Sequence, residues 1–187
     1  GLGRADAIAL AGEGARVVIT DISKENGEEA AHAAGNGAIY LPHDVAEDDQ
    51  WQQVVKQTVD HFGELNVLVN NAGANWGAEF ETFPESGWDT VMAVNLKAPF
   101  FLTQQLLPER CAAASADDPA RVINIGSVDG LRAPLLETYS YSASKAAIHH
   151  MTHVLARKLA RSNITVNAIA PGPFESKMMA ATLKSFG

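Results

Sequence analysis

A single cysteine, Cys111, occurs in 187 residues, so no disulfide can form within the chain and a reducing compartment is expected. Its neighbours Arg110, Ala112 and Ala113 form no thiol motif, and it reads as a helix-surface residue. Basic residues are also scarce: 14 Lys and Arg stand against 22 Asp and Glu, a formal net charge of -8. That balance excludes a nucleic-acid partner, because a phosphate backbone is held by a basic face. No stretch approaches the ~20 consecutive apolar residues that span a bilayer, and the N-terminus has neither the basic start nor the apolar run of a signal peptide. These absences predict a soluble, cytoplasmic protein without a membrane partner. What is present, 47% hydrophobic and 19% charged residues, suffices to bury a core without disulfides or metals. One domain over residues 1–187 is expected.

Short β-branched or apolar runs at residues 16–20, 38–41, 67–69, 122–125 and 164–169 read as buried strands. Between them, helical spacing covers residues 4–11, 24–34, 48–62, 85–114 and 142–160. Strand and helix alternate without hairpin turns, which predicts parallel pairing, since parallel neighbours need a long crossover. The strands are apolar on both faces, as in a sheet covered by helices on each side. The predicted fold class is therefore α/β with a doubly wound parallel sheet, whose ligands bind beyond the carboxyl ends of the strands. A glycine turn that approaches a pyrophosphate follows a strand, yet Gly1-Leu2-Gly3 opens straight into a helix. The domain is thus expected to lack its first strand, which would lie between the strands at Arg16 and Val67. The helical run 176–184 stops without a following strand, so the domain reads as truncated at both ends.

Tyr141-Ser142-Ala143-Ser144-Lys145 opens a predicted helix, and a spacing of four puts phenol and ammonium on one face. A free tyrosine has a pKa near ~10 and exchanges protons poorly at neutral pH. A lysine charge about 5 Å away would favour the phenolate by on the order of 3 kcal/mol, roughly two pKa units. Alone, such a pair also fits a solvated helix face. Three turns lie on the same predicted sheet edge: Asn70-Asn71-Ala72-Gly73, Ser127 and Pro171-Gly172, each directly after a strand. Each has an ordinary reading as a turn, a cap or a breaker, but their joint order is harder to dismiss.

On these residues the sequence resembles the short-chain dehydrogenase/reductase family over essentially its whole length. Gly1-Leu2-Gly3 is similar to the end of that family's glycine loop, Asp44-Val45 to its adenine-contacting pair, and Asn70-Asn71-Ala72-Gly73 to its Asn-Asn-Ala-Gly signature. Asn95, Ser127, Tyr141 and Lys145 match its catalytic tetrad, and Pro171-Gly172 matches the segment flanking the nicotinamide. The resemblance implies a single Rossmann domain and places Gly1, Leu2, Gly3, Asp21, Asp44, Val45, Asn71, Tyr141, Lys145 and Phe174 at a dinucleotide. Two departures stand out: half of the glycine loop is absent, and the interval from Ser127 to Tyr141 is one residue longer than in many members. Tyr139 offers no rival, since Ala143 stands where its lysine would be.

The same resemblance implies hydride transfer between a nicotinamide and a small-molecule carbonyl or alcohol. Ser127 would hydrogen-bond the substrate oxygen and Tyr141 would give or take its proton. Lys145 would hold the nicotinamide ribose and lower the tyrosine pKa, and Asn95 would position a water linking Lys145 to solvent. The runs around Ser127 and Pro171 look most like the branch of 3-oxoacyl-carrier-protein reductases, including the rhamnolipid-associated kind. Trp76 and the apolar segment 174–183 would line a pocket, or Trp76 is a packed loop aromatic. His149 and His153 have the spacing of a zinc pair, but no further ligand completes it, so no metal is expected and the histidines read as an interface or solvated face. The long helices imply a homo-oligomer. A catalytically inactive NAD(P)-sensing regulator is the rival reading, although it would be expected to have lost part of the tetrad.

Asp21 bears on the cofactor. It follows the strand 16–20, where a dinucleotide fold places the acid that binds the adenosine ribose, and its charge would oppose a 2′-phosphate. NAD is therefore expected over NADP, with Lys24 as a modest counterweight. The other reading, an Asp that caps the helix starting near Lys24, leaves the choice open.

Overall fold

The computed structural model describes residues 1–47, 50–107, 112–173 and 180. Two compact units emerge, Gly1–Leu65 and Asn66–Gly187.

In the first unit, β1 (Val18–Asp21) and β2 (Ile39–Pro42) run parallel, in register from Val18↔Ile39 to Asp21↔Pro42. α2 (Lys24–Ala34) is the crossover that a parallel pair requires. It starts at Ser23, whose hydroxyl accepts the Asn26 N–H at 3.2 Å, and ends at Gly35, whose φ of 64° suits glycine. Gly27 costs this helix about 1 kcal/mol relative to alanine. Its place is explained by Tyr40: a Cβ at Gly27 would fall 2.2 Å from the ring, so the missing side chain lets α2 lie on β2. α1 (Leu2–Gly12) and α3 (Gln50–Phe62) complete the unit, and α3 buries Trp51, Val55 and Thr58 along one helical stripe.

The second unit holds a parallel sheet in the order β3 (Val67–Asn70), β4 (Ala120–Ile125), β5 (Ile164–Ile169). Ala120, Val122, Ile164 and Val166 form its core with Leu159. Burial alternates along β4 and β5, where the sequence suggests two covered faces, because Arg121, Thr165 and Asn167 occupy the alternate positions. Among the described residues β1 pairs with β2 alone and β3 with β4 alone.

Within the helix expected over 85–114, the described residues form α4 (Glu85–Met92), a π-helical turn (Ala93–Lys97) and α5 (Ala98–Gln105), with helical residues again at 107 and 112–113, while residues 108–111 lie outside the described residues. Pro99 explains the break, since it has no N–H to give to the Asn95 carbonyl four residues back. α6 (Tyr139–Leu159) begins before the expected start at 142, which brings Tyr141 into its first turn. Residues 48 and 49, Cys111, Phe174 and, apart from Ala180, the expected helix 176–184 lie outside the described residues. No described helix is long and apolar enough to cross a membrane.

A buried polar relay ties the sheet to α6. Asn70 Nδ2 donates to Asn124 Oδ1 at 2.8 Å, Asn124 Nδ2 donates to Thr152 Oγ1 at 2.9 Å, and Thr152 Oγ1 donates to the Ile148 carbonyl at 2.8 Å. Replacing Asn124 strands the buried Asn70 amide, takes a bond from Thr152, which keeps its own to the Ile148 carbonyl, and leaves a cavity, and a buried polar group without a partner alone costs about 1–3 kcal/mol. Asn124→Ala is therefore expected to lose about 2 kcal/mol or more in urea denaturation, and a loss under about 0.5 kcal/mol would show the relay to be energetically idle.

Candidate active site

β4 ends at Ile125, and the chain continues through Gly126 and Ser127 into a 3₁₀ turn, Val128–Gly130. Ser127 is buried with an extended backbone, and its Oγ caps that turn by accepting the Asp129 N–H at 3.1 Å. The turn rests on α6 only because Gly130 has no side chain: a Cβ there would fall 2.5 Å from the Lys145 backbone. Tyr141 and Lys145 stand one turn apart on α6, as the spacing predicts.

Lys145 is 4% exposed, donates from Nζ to the Ile125 carbonyl at 2.7 Å, and sits 5.5 Å from the centroid of the Tyr141 ring. Burial disfavours its charge and lowers its pKa to about 8. The Tyr141 phenol departs from expectation. Burial raises its pKa, a hydrogen bond with Ser127 opposes that rise, and the Asp129 carboxylate adds to it. The net shift of the phenol is upward, with burial as its largest cause, while the Lys145 ammonium spends a hydrogen bond on the Ile125 carbonyl.

Asn95 lies in the π-helical turn, 2% exposed. Its Oδ1 accepts the Ala74 N–H at 2.8 Å, and its Nδ2 donates to the Ala74 carbonyl at 2.9 Å and to Ser144 Oγ at 3.0 Å. Ser144 Oγ in turn donates to the Tyr141 carbonyl at 2.7 Å. The side chain thus clasps the loop that follows Asn71 and reaches Tyr141 through Ser144. Asn71 itself is exposed. Trp76 packs on α4, where a Cβ at Gly87 would fall 2.6 Å from the indole. Tyr139 lies apart from Ser127: its hydroxyl donates to Glu137 at 2.9 Å and its ring meets Phe80 and Phe83 edge-on.

The first unit places Asp21 and Asp44 at the carboxyl ends of β1 and β2. Asp21 Oδ1 accepts the Ser23 N–H at 2.8 Å, so the helix cap is Ser23 and Asp21 has a second carboxylate oxygen that this bond does not use. Asp44 Oδ1 accepts the Ala46 N–H at 2.9 Å, and the Val45 carbonyl accepts the Trp51 indole N–H at 2.9 Å. At Gly1, the N-cap of α1, no side chain caps the helix and no acid lies in its first turn, which suits an anion beside Leu2 and Gly3. In the first unit these donor and acceptor types fit part of a nucleotide, amides for phosphate and a carboxylate for ribose hydroxyls; in the second unit, taken by itself, a buried ammonium suits a ribose hydroxyl.

Sequence reasoning missed two features. Asn124 gives no motif, since a lone Asn in a strand is silent until its partners are known. His149 turns its ring onto Ser127, while His150 and His153 are exposed. Among the described residues no group of three or more His, Cys, Asp or Glu could hold a metal.

Comparison with known proteins agrees with this arrangement. The sequence model described as short chain dehydrogenase matches residues 1–185. The chain is 40% identical over 183 residues to the rhamnolipids biosynthesis 3-oxoacyl-[acyl-carrier-protein] reductase of Pseudomonas aeruginosa, covering 95% of this chain and 70% of that protein. It is 38% identical over 182 residues to the 3-oxoacyl-[acyl-carrier-protein] reductase FabG of Thermotoga maritima, covering 95% and 72%. The solved Pseudomonas aeruginosa RhlG/NADP active-site complex superposes with a TM-score of 0.92 at 40% identity, covering 97% of this chain and 72% of that one.

The lowered lysine pKa can be measured directly. An NMR titration of the Lys145 Nζ is expected to show a midpoint near 8, charged below and neutral above. A midpoint at or above that of free lysine would mean the ammonium is solvated.

Proposed function

The chain belongs to the short-chain dehydrogenase family of oxidoreductases, and from the meeting of Ser127, Tyr141 and Lys145 we propose that it interconverts a carbonyl and an alcohol with a nicotinamide cofactor. The observation that carries this reading is the buried Lys145 ammonium 5.5 Å from the centroid of the Tyr141 ring, with the Ser127 side chain near enough to the phenol to favour its ionised form. Bound nicotinamide supplies or accepts the hydride. Tyr141 gives its phenolic proton to the substrate oxygen in reduction and takes it back in oxidation. Ser127 Oγ holds that oxygen by a hydrogen bond that strengthens as negative charge develops. Lys145 holds the nicotinamide ribose, with Asn71 beside that half of the cofactor. Asn95 keeps the Ala74 loop and the start of α6 in place and would order a water toward Lys145. Gly1, Leu2, Gly3, Asp21, Asp44 and Val45 take the adenosine and pyrophosphate.

A 3-oxoacyl thioester is the substrate class we favour. Both named relatives are 3-oxoacyl-[acyl-carrier-protein] reductases, and Leu131 and Leu135, between Ser127 and Tyr141, are exposed apolar side chains of the kind an acyl chain would cover. Exposed Trp88, Phe100 and Val154 on α4, α5 and α6 support a homo-oligomer. On this reading Tyr141→Phe loses at least ~100-fold in turnover with cofactor affinity within a few fold, while Lys145→Ala damages both. Retention of a tenth of wild-type turnover by Tyr141→Phe would remove Tyr141 from the proton transfer.

Cofactor choice rests on Asp21. Its uncommitted carboxylate oxygen suits ribose hydroxyls and opposes a 2′-phosphate, which favours NAD, whereas the RhlG complex was solved with NADP. Catalytic efficiency is expected to be higher with NAD, and Asp21→Ala is expected to raise the use of NADP. Equal or better use of NADP by the wild type would reverse the assignment.

A further inference from the structure

α6 presents Tyr141, Lys145 and His149 at intervals of four, along one face of the helix. The end of β4 lies along that face, and each of the last two side chains grips its backbone. Lys145 Nζ meets the Ile125 carbonyl at 2.7 Å, and two residues later His149 Nε2 lies 3.0 Å from the Ser127 carbonyl and 3.4 Å from the Ser127 nitrogen. Between them stands Gly126, where a Cβ would fall 2.3 Å from His149 Cε1. No rotamer adjustment of a Cβ relieves such a clash, so the imidazole occupies the space a side chain at 126 would need.

The two contacts belong to opposite protonation states: the Ser127 N–H donates to an unprotonated Nε2 at 3.4 Å, whereas the shorter contact to the carbonyl needs a proton on Nε2, as in the Nε2–H tautomer or the imidazolium. The Ser127 carbonyl also accepts the Gly130 N–H at 3.1 Å, while Ser127 Oγ is held separately by the Asp129 N–H. Removing the imidazole would leave the hydroxyl its cap and the peptide its bonds to the Gly130 N–H and the Pro171 carbonyl, but would take away the side chain that holds the Ser127 backbone from α6. A small rotation there displaces Oγ from the substrate oxygen, and misplacement on the scale of an ångström costs turnover steeply.

We infer that His149 is a positioning residue for Ser127, its Nε2–H fixing the Ser127 peptide so that Oγ faces the Tyr141 phenol. This rests on the catalytic reading of Ser127 given above. Steady-state kinetics, cofactor dissociation constants and melting temperatures of His149→Leu, His149→Gln and His149→Asn test it. A glutamine amide N–H reaches the place of Nε2, an asparagine amide falls short, and leucine fills the volume without a donor. Expected are a kcat about tenfold lower for Leu and Asn, kcat within threefold of wild type for Gln, and a cofactor dissociation constant within twofold throughout. A role in packing alone reverses the order, sparing Leu and harming Gln. Leu within twofold of wild-type kcat, or Gln no better than Asn, overturns the inference, and the Gln and Asn comparison decides alone where Leu does not fold. Ser127→Ala, measured alongside, separates the two readings: if it keeps full activity, Ser127's role falls and His149's with it, whereas an inactive Ser127→Ala beside a fully active His149→Leu overturns the role of His149 only.

Discussion

The contact between the Lys145 ammonium and the Ile125 carbonyl governs the arrangement of the second unit. A charge that is 4% exposed is tolerated only if something replaces its water. Here a strand-end carbonyl at 2.7 Å and the face of the Tyr141 ring do so. A lysine side chain that spends its reach on a backbone oxygen forces α6 close to the end of β4. Closeness of that kind is available only where Cβ atoms are missing, which accounts for Gly126 and Gly130 on either side of Ser127. In the sequence Gly-Ser-x-x-Gly after β4, the first glycine makes room for the His149 ring and the second for the α6 backbone at Lys145, and the serine hydroxyl sits between these two close approaches.

The same helix is stitched to its surroundings by polar side chains as well as by the apolar packing of Ile148 and Leu159. Ser144 receives the Asn95 amide, and Thr152 receives the Asn124 amide. Such contacts contribute modestly to stability when made and cost more when broken, so they select one position of α6 along its axis more sharply than a greasy interface would. A helix free to slide by a fraction of a turn would carry Tyr141 away from Ser127.

Much of this was legible in the sequence because it depends on spacing. Alternating runs specified parallel strands, and four residues between Tyr141 and Lys145 specified a shared face. What escaped depends on direction. The spacing placed Lys145 beside Tyr141, but that its Nζ also bonds the Ile125 carbonyl is something no spacing rule reports. The division of the helix expected over 85–114 was readable in principle from Pro99, whose missing N–H unsettles the turn holding Asn95. His149 was weighed only as half of a metal pair, because the strand it touches is far away in sequence and Gly126 looks like any other turn glycine. Asp21 lay between a cap and a ribose ligand until Ser23 proved to be the cap.

The two ionisable groups shift in opposite directions for one reason. Burial raises the phenol and lowers the ammonium, since in each case the charged form loses its water. Near neutral pH the pair therefore rests as phenol and ammonium, not as phenolate and amine. A phenol that keeps its proton is the form that can donate to a carbonyl oxygen, so the reducing direction starts from the resting state of the site. Oxidation requires the phenolate, and what stabilises it here is the Ser127 hydrogen bond, with Asp129 working against it. Ser127 consequently acts on the tyrosine as well as on the substrate oxygen. Any group that fixes the direction of its hydroxyl then bears on both halves of the proton transfer.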